Sequence, residues 1–118
     1  MVVSHGAAVH DAQVHGLRLA SQQTMAAVAA RLRSGATDEW FTAIGTSMRP
    51  AVRVVQPVRL RPPEVAQSLL GHVVLVRVAD RWWLHRVAAE EDTRVLIVGD
   101  NGMVNGWTPR SEVAGVLV

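Results

Sequence analysis

The sequence predicts a mainly β domain preceded by an N-terminal amphipathic α-helix. An Ala-rich stretch with apolar residues at steps of three and four opens the chain, Gly35 interrupts it, and short β-branched runs bounded by turn residues follow. With 118 residues, of which 49% are apolar, the chain can form one domain with one modest core. We therefore distinguish an N-terminal helical segment, residues 1–35, from a β domain, residues 36–118.

The predicted helix covers Asp11–Arg33, with Asp11 as a candidate N-cap and Gly35 as a stop signal. Its apolar stripe is interrupted only once, by Ser21, and consists of Val14, Leu17, Met25, Val28 and Leu32. We expect this helix to cover part of the core or the surface of a partner protein. A membrane-surface helix is the alternative, which the thinly basic polar face and the Ala-rich apolar face disfavour.

The rest of the chain contains segments typical of strands, namely residues 40–44, 52–60, 73–78, 82–87, 94–98 and 113–118. Pro57 predicts that the second of these lies at an edge or is bent, because proline donates no ladder hydrogen bond. Residues 79–81 are expected to form the turn of a hairpin between the third and fourth strands. Residues 64–70 are expected to form one helical turn.

Composition excludes several classes of function. All 12 basic side chains counted as Lys+Arg are Arg, and they are scattered over a chain of net charge +2, so we expect no nucleic-acid partner. The absence of Cys excludes disulfides, thiolate metal sites and Cys nucleophiles. No apolar run approaches the roughly 20 residues that span a bilayer. We therefore expect a soluble cytoplasmic protein without a transmembrane anchor.

Three short motifs together contain the groups that a serine peptidase needs. They are, in chain order, Gly45-Thr46-Ser47-Met48-Arg49-Pro50, His85-Arg86-Val87 and Gly99-Asp100-Asn101. A hydroxyl, an imidazole and a carboxylate can act as nucleophile, general base and orienting group. Because the chain has no Lys, a Ser-Lys mechanism is excluded and His is the candidate base.

Each motif alone has a simpler interpretation. A Ser such as Ser47 most often caps or shapes a turn, a strand residue such as His85 is most often a satisfied core residue, and Gly-Asp-Asn-Gly is a common turn sequence. In the catalytic interpretation, the turn around Gly45, Thr46 and Met48 projects the Ser47 hydroxyl and directs backbone N–H groups at an oxyanion. By strand alternation, His85 shares a face with Trp83 and Val87.

The order of the motifs and their flanking residues resemble the signal peptidase I superfamily, in its archaeal and endoplasmic-reticulum branch. The family nucleophile motif Gly-x-Ser-Met-x-Pro matches Gly45 to Pro50, the base motif matches His85 to Val87, and the following turn matches Gly99 to Asn101. The resemblance covers about two thirds of the chain. It implies a bent β-barrel like those of signal peptidases and repressor proteases, and a cofactor-free Ser-His peptidase. It also implies a peptide or precursor-protein substrate with small side chains next to the cut.

The chain departs from this family in three ways. Gly71-His72 stands where the family has Gly-Asp before its central strand, and Asn105 or Gly106 stands where it has a second acid. The resemblance therefore leaves two candidates for the group that orients His85, namely Asp100 and Asn105. The third departure is the missing anchor, which points to a leader or terminus of a small precursor as substrate, with the N-terminal helix holding the substrate or a partner.

Two other interpretations remain at this stage. In the first, the triad acid has been lost and the chain is a catalytically degenerate module that binds a peptide or partner protein. In the second, which we disfavour, metal is bound by His5, His10, His15 and His72; the spacing of five places the first three on diverging sides of a helix.

Overall fold

The structure, a computed structural model, describes residues 11–44 and 55–118, and of residues 11–21, 43, 44, 55 and 56 the backbone alone. It confirms a mainly β chain with one helix in the described part. The elements are α1 (Asp11–Arg33), β1 (Glu39–Ile44), β2 (Val55–Arg61), β3 (Val73–Val78), β4 (Arg81–Glu90), β5 (Arg94–Val98), β6 (Val104–Pro109), a short 3-10 helix (Arg110–Glu112) and β7 (Val113–Leu117). No helix within the described ranges is long and apolar enough to cross a membrane.

The strands form one antiparallel sheet in the order β1-β2-β7-β3-β4-β5-β6. The pairing is open, with β1 and β6 at the two edges of the described sheet. The sheet is nonetheless strongly curved, because the register shifts between Val87 and Ala89 in β4 and between Ile97 and Val98 in β5. The curvature brings β6 back towards β3, where the Thr108 hydroxyl donates a 2.9 Å hydrogen bond to the Arg77 carbonyl.

Two apolar clusters lie on opposite faces of the sheet, as the alternation along β3 requires. The first cluster contains Val73, Leu75, Trp82 and Leu84 of the sheet together with the buried side of α1. The second contains Val74, Val76, Val78, Val87, Val95, Ile97, Val113, Val116 and Leu69, with Trp83 packed against it. Both faces of β3 are therefore buried, which explains its unbroken β-branched sequence.

The helix packs on the first face through Met25, Val28, Ala29 and Leu32, which follow the predicted periodicity. It ends at Arg33, and the predicted stop signal Gly35 follows with a φ of 113° that is readily adopted only by glycine. The Gly35 N–H donates to the Leu32 carbonyl and the Ala36 N–H donates to the Arg31 carbonyl. This pair of bonds satisfies the last carbonyls of the helix in a Schellman arrangement.

Close packing of helix and sheet depends on Gly115 in β7. A Cβ at this position would lie 2.9 Å from Leu32 Cδ1 and 3.3 Å from Leu60 Cβ. A side chain at residue 115 would therefore force the Leu32 side chain to move and crowd Leu60.

The hairpin between β3 and β4 sets the position of the return strand. Ala79 and Asp80 both have positive φ, 51° and 64°, which is the conformation of a two-residue turn whose twist matches that of the strands. Val78 pairs with Arg81 at the turn, and the ladder continues to the pair of Val73 with Arg86. His85 thereby lies opposite Val74, on the face of the sheet that carries the second cluster.

Two other predictions for individual segments have different outcomes. Pro57 lies in β2 opposite Thr42 of β1. The described pairing of β2 with β7 is confined to Leu60 and Arg61, so the edge of β2 that faces away from β1 has no described strand beside it at Pro57. The helical turn predicted for residues 64–70 is wrong. A single turn forms there instead, in which Gln67 accepts from the Glu64 N–H and donates its own N–H to the Glu64 carbonyl.

Candidate active site

His85 lies within β4 and is, with Thr108, one of two buried polar residues among the side chains that the structure describes, with only 2% of its surface exposed. Alternation along the strand directs it to the same face as Val87 and Trp83, as the sequence predicts. The Trp83 ring stacks on the imidazole with 5.1 Å between ring centroids and 29° between planes. This packing fixes the plane of the His85 ring.

Asn105, in β6, is the hydrogen-bond partner of His85 Nδ1. The distance from Nδ1 to Asn105 Oδ1 is 2.5 Å, and the Asn105 Nδ2 group points to Met103 Sδ at 3.7 Å. Because the amide oxygen faces the imidazole, Nδ1 carries the proton and donates it to Oδ1. The lone pair of the neutral ring is then on Nε2, which is the tautomer that a general base requires.

The surroundings of His85 favour its neutral form. Burial lowers the pKa of His85 below the ordinary imidazole value of 6.5, while the Asn105 hydrogen bond and the charge of Asp100 act in the opposite direction. Since burial is the largest of these effects, the imidazole is uncharged at neutral pH and can accept a proton.

Asp100 lies in the turn between β5 and β6 and forms an ion pair with Arg86. The Arg86 Nε and Nη2 groups donate to its two carboxylate oxygens at 2.8 and 2.9 Å. This guanidinium lowers the pKa of Asp100, so the carboxylate is charged at neutral pH. Asp100 is near enough to raise the pKa of His85 through its charge, whereas the amide of Asn105 makes the hydrogen bond to Nδ1.

Arg86 links three segments around the site. Besides the two bonds to Asp100, its Nη1 group donates to the Gly71 carbonyl at 2.7 Å. We name this set of contacts among Arg86, Asp100 and Gly71 the arginine clasp. It joins β4 to the turn before β3 and to the turn before β6.

The Gly-Asp-Asn motif forms the turn that precedes β6 and positions Asn105 near His85. The Gly102 N–H donates to the Gly99 carbonyl, and the Gly99 N–H donates to the Met103 carbonyl. The Asn101 side-chain oxygen accepts from the Met103 N–H at 3.0 Å. The turn therefore fixes where β6 begins, and with it the position of Asn105.

Several predicted site residues cannot be placed in this geometry. Gly45, Thr46, Ser47 and Met48 lie outside the described residues, in the connection between β1 and β2.

The described residues contain no group of three His, Asp or Glu arranged to hold a metal ion. The His15 side chain and residues His5 and His10 lie outside that description. The remaining member of the metal hypothesis, His72, accepts through its backbone carbonyl a hydrogen bond from the Val87 N–H of β4.

Sequence reasoning did not identify two contacts near the site. Trp82 belongs to the core and Trp83 is half-buried, as alternation suggests, but stacking on His85 has no signature in the sequence. The second contact is made by Gln22 of α1, whose side chain hydrogen-bonds both backbone groups of Trp82 across 60 positions. Comparisons of this chain with models of protein families, with curated proteins and with solved structures find no match.

Proposed function

We propose that this chain is a serine endopeptidase with Ser47 as nucleophile and His85 as general base, and that its curved, open sheet is related to the bent β-barrel of signal peptidase I. The observation that carries the proposal is the buried His85, which donates from Nδ1 to Asn105 and thereby carries its lone pair on Nε2. A His held in one tautomer, kept neutral by burial and stacked on a tryptophan suits proton transfer better than it suits simple core packing.

The mechanism follows from these roles. The Ser47 hydroxyl attacks a peptide carbonyl while His85 Nε2 takes its proton, and the imidazolium then protonates the leaving amine. Water hydrolyses the resulting acyl-enzyme with His85 acting again as base. The N–H groups of Ser47 and of the Gly45-Thr46 region hold the oxyanion, with Met48 shaping the same turn.

Asn105 and Asp100 have different roles in this mechanism. Asn105 keeps the Nδ1 proton in place, and Asp100 acts through the arginine clasp and through its charge. A neutral amide stabilises the transient imidazolium less than a carboxylate does. We therefore expect a slow enzyme, selective for a substrate that binds well.

The substrate is proposed to bind as an added β-strand. β3 cannot accept it, because both of its edges are paired, with β4 and with β7. β5 pairs with β4 only from Arg86 to Glu90, and no described strand lies beside the outer edge of the first half of β4, where His85 is located. This part of β4 is the edge nearest the base.

We propose a small precursor protein or peptide as substrate, cut next to small side chains to release a leader or terminal segment. The small side chains are implied by the resemblance to signal peptidase I. The absence of Cys suits a reducing compartment, so we propose cytoplasmic action.

A peptide-binding module without catalytic activity is the second candidate function. The observation that favours it is the neutral amide of Asn105 at the position where a triad would hold a carboxylate. Such a module would use the same edge of β4 and would not need Ser47.

Two experiments distinguish these candidates. β-Casein, an extended chain, is incubated with the wild-type protein and with Ser47→Ala and His85→Ala, and new termini are identified by mass spectrometry. A fluorescent fluorophosphonate then tests whether Ser47 is acylated. The peptidase proposal expects cleavage and labelling that both variants lose. Cleavage by both variants at the wild-type rate would contradict the mechanism, and binding of casein peptides without cleavage or labelling would favour the module.

A further inference from the structure

Gln22 of α1 holds the backbone of Trp82 in the manner of a neighbouring β-strand. Its Nε2 group donates to the Trp82 carbonyl at 2.8 Å, and its Oε1 accepts from the Trp82 N–H at 2.9 Å. A primary amide has the same donor and acceptor pair as a peptide group. One side chain therefore supplies both hydrogen bonds that a strand residue would supply at this position.

The register of the hairpin explains why this position needs a partner. Arg81 pairs with Val78 across the two-residue turn, so the backbone groups of the next residue, Trp82, point away from β3. β5 begins its pairing with β4 only at Arg86. Trp82 thus lies on the outer edge of β4, three residues before His85.

We propose that Gln22 is a specificity-determining residue, whose amide occupies the pairing position at Trp82 and so limits the length of extended peptide that can add to β4 beside His85. This inference rests on the proposed binding of a substrate strand at that edge. No described strand pairs with the outer edge of β4 at Leu84, whereas at Trp82, about 7 Å further along the strand, a longer peptide must compete with Gln22. The enzyme should therefore bind short extended segments nearly as well as long ones.

The helix can remain docked when the Gln22 amide is lost. Met25, Val28 and Leu32 are buried in the core shared with the sheet. At its far end, Arg33 Nη2 donates to the Ser111 carbonyl at 2.8 Å. Replacement of Gln22 by Met keeps the length of the side chain and its helix propensity and removes both hydrogen bonds.

The test measures binding in a Ser47→Ala background, so that it does not depend on catalysis. The probes are synthetic five-residue and twelve-residue peptides that tile β-casein, with affinities measured by fluorescence polarisation. Adding Gln22→Met should strengthen binding of the twelve-residue peptides by about 5- to 10-fold, the effect of gaining two backbone hydrogen bonds, and leave the five-residue peptides unchanged. Gln23→Met, at the exposed neighbouring residue, is the matched control and should change neither.

Every outcome decides the inference. A gain that is equal for both lengths, no gain, an equal gain with Gln23→Met, or no binding to any variant would overturn it. Gln22→Glu, which keeps the acceptor and loses the donor, should show a length-dependent gain in the same direction and replaces Gln22→Met should that variant fail to fold. Casein cleavage by the wild-type protein tests the peptidase proposal separately. A length-dependent gain in affinity without cleavage supports the role of Gln22 and rejects the peptidase. Cleavage without the gain in affinity supports the peptidase and rejects the role of Gln22.

Discussion

The amide of Asn105 and the imidazole of His85 form the central contact of the proposed site. The amide fixes the tautomer of His85, but it carries no charge to stabilise an imidazolium. Burial lowers the pKa of His85, and the charge of Asp100 offsets this only in part. The site thus holds a base that is available at neutral pH and whose protonated form is poorly stabilised.

Replacing the amide by a carboxylate should change both properties. In Asn105→Asp, we expect a higher pKa for His85, because a negative charge at Nδ1 stabilises the imidazolium, and a rise in kcat of about 10-fold or more. In Asn105→Ala, we expect the pKa of His85 to fall, because the hydrogen bond that raises it is lost. An NMR titration of the His85 Hε1 signal measures both shifts.

Asn101→Asp is the control, since it adds the same charge to a side chain that bonds the Met103 N–H. Its effect on the His85 titration should be smaller than that of Asn105→Asp. An unchanged His85 pKa in Asn105→Ala would show that the Nδ1 contact does not control this base.

The lowered pKa of His85 also predicts how stability depends on pH. In the unfolded chain, this His takes up a proton near 6.5, whereas the folded protein takes it up only at lower pH. The unfolded state therefore binds more protons in this range. We expect the free energy of unfolding to fall as pH decreases from 7.5 to 5.5, by at most about 1.4 kcal/mol per pH unit from this one group.

Urea unfolding of the wild-type protein and of His85→Gln, at several pH values, isolates this contribution. The other His residues are present in both proteins, so the difference between the two curves belongs to His85. Parallel curves across this range would contradict the expected uncharged, buried His85.

The sequence predicted His85 as the candidate base and left two candidates for its partner. Asp100 and Asn105 are close together in the chain, and the distance along the chain does not indicate which of them reaches His85. Strand alternation explains why they bind different residues. Arg86 follows His85 and points to the opposite face of the sheet, where its guanidinium forms the ion pair with Asp100. Asn105, which bonds His85, is the residue that the register shift leaves without a paired residue on β5, and single-residue patterns do not report such a shift.

At the scale of elements, the arginine clasp connects the turn before β6 to β4. Arg86 is 37% exposed and Asp100 is 17% exposed, so solvent screens the ion pair and its contribution to stability is modest. Its position matters more, because the turn that contains Asp100 also sets where Asn105 lies.

Asp100→Asn should therefore affect the site more than it affects the fold. We expect a loss of stability below about 2 kcal/mol, a lower pKa of His85 because a nearby negative charge is removed, and a fall in kcat with little change in KM. Glu91→Gln breaks an exposed ion pair with Arg94 and should change neither kinetic constant. A fall in KM and kcat of equal size in both variants would indicate a general structural effect.

The strand β6 could not be predicted from the local sequence pattern. Its sequence, with Asn105 and Gly106, has the composition of a turn, so no strand was predicted there. It becomes a strand because β5 offers an edge for pairing, from Arg94 opposite Pro109 to Ile97 opposite Gly106, after which the register shifts and Val98 lies opposite Val104. By contrast, β3 was predictable because both its faces are buried, which requires a continuous β-branched sequence.

Gly115→Ala tests the close approach of α1 and β7. The added methyl group would contact the mobile tip of Leu32 and the fixed Cβ of Leu60, so we expect a loss of about 1–3 kcal/mol. In a double-mutant cycle with Leu32→Ala, the double variant should lose less stability than the two single variants together, by at least about 1 kcal/mol. Chemical denaturation measures all four proteins, and strict additivity would show that the methyl group meets no barrier at Leu32.

At the scale of the whole molecule, the helix and the sheet share the first apolar cluster. The boundary drawn at residue 35 from composition separates a helix-forming sequence from a strand-forming one. The first apolar cluster crosses that boundary, since Val28 and Leu32 pack with Leu60, Leu75 and Ala114. Periodicity predicted the buried side of the helix, but a single sequence does not reveal which surface covers it.

This shared core predicts that residues 36–118 do not fold alone. Removing residues 1–35 exposes one face of the sheet and loses the burial of four apolar side chains of α1, each contributing about 1.5–3 kcal/mol when large. That loss is comparable with the entire stability of a typical domain, about 5–15 kcal/mol. We expect the shortened chain to bind the dye ANS, to aggregate on size-exclusion chromatography and to show collapsed amide dispersion in NMR.

Single substitutions separate this effect from the mere loss of chain length. Val28→Asp places a charge in the shared core, whereas Ala27→Asp places the same charge on the exposed side of α1. The first should reproduce much of the effect of the deletion, because a buried carboxylate without a partner is strongly unfavourable, and the second should leave folding intact. A folded, monodisperse 36–118 fragment would instead show that the sheet is stable without α1. The Gln22 contact with the edge of β4 would then not be needed for folding.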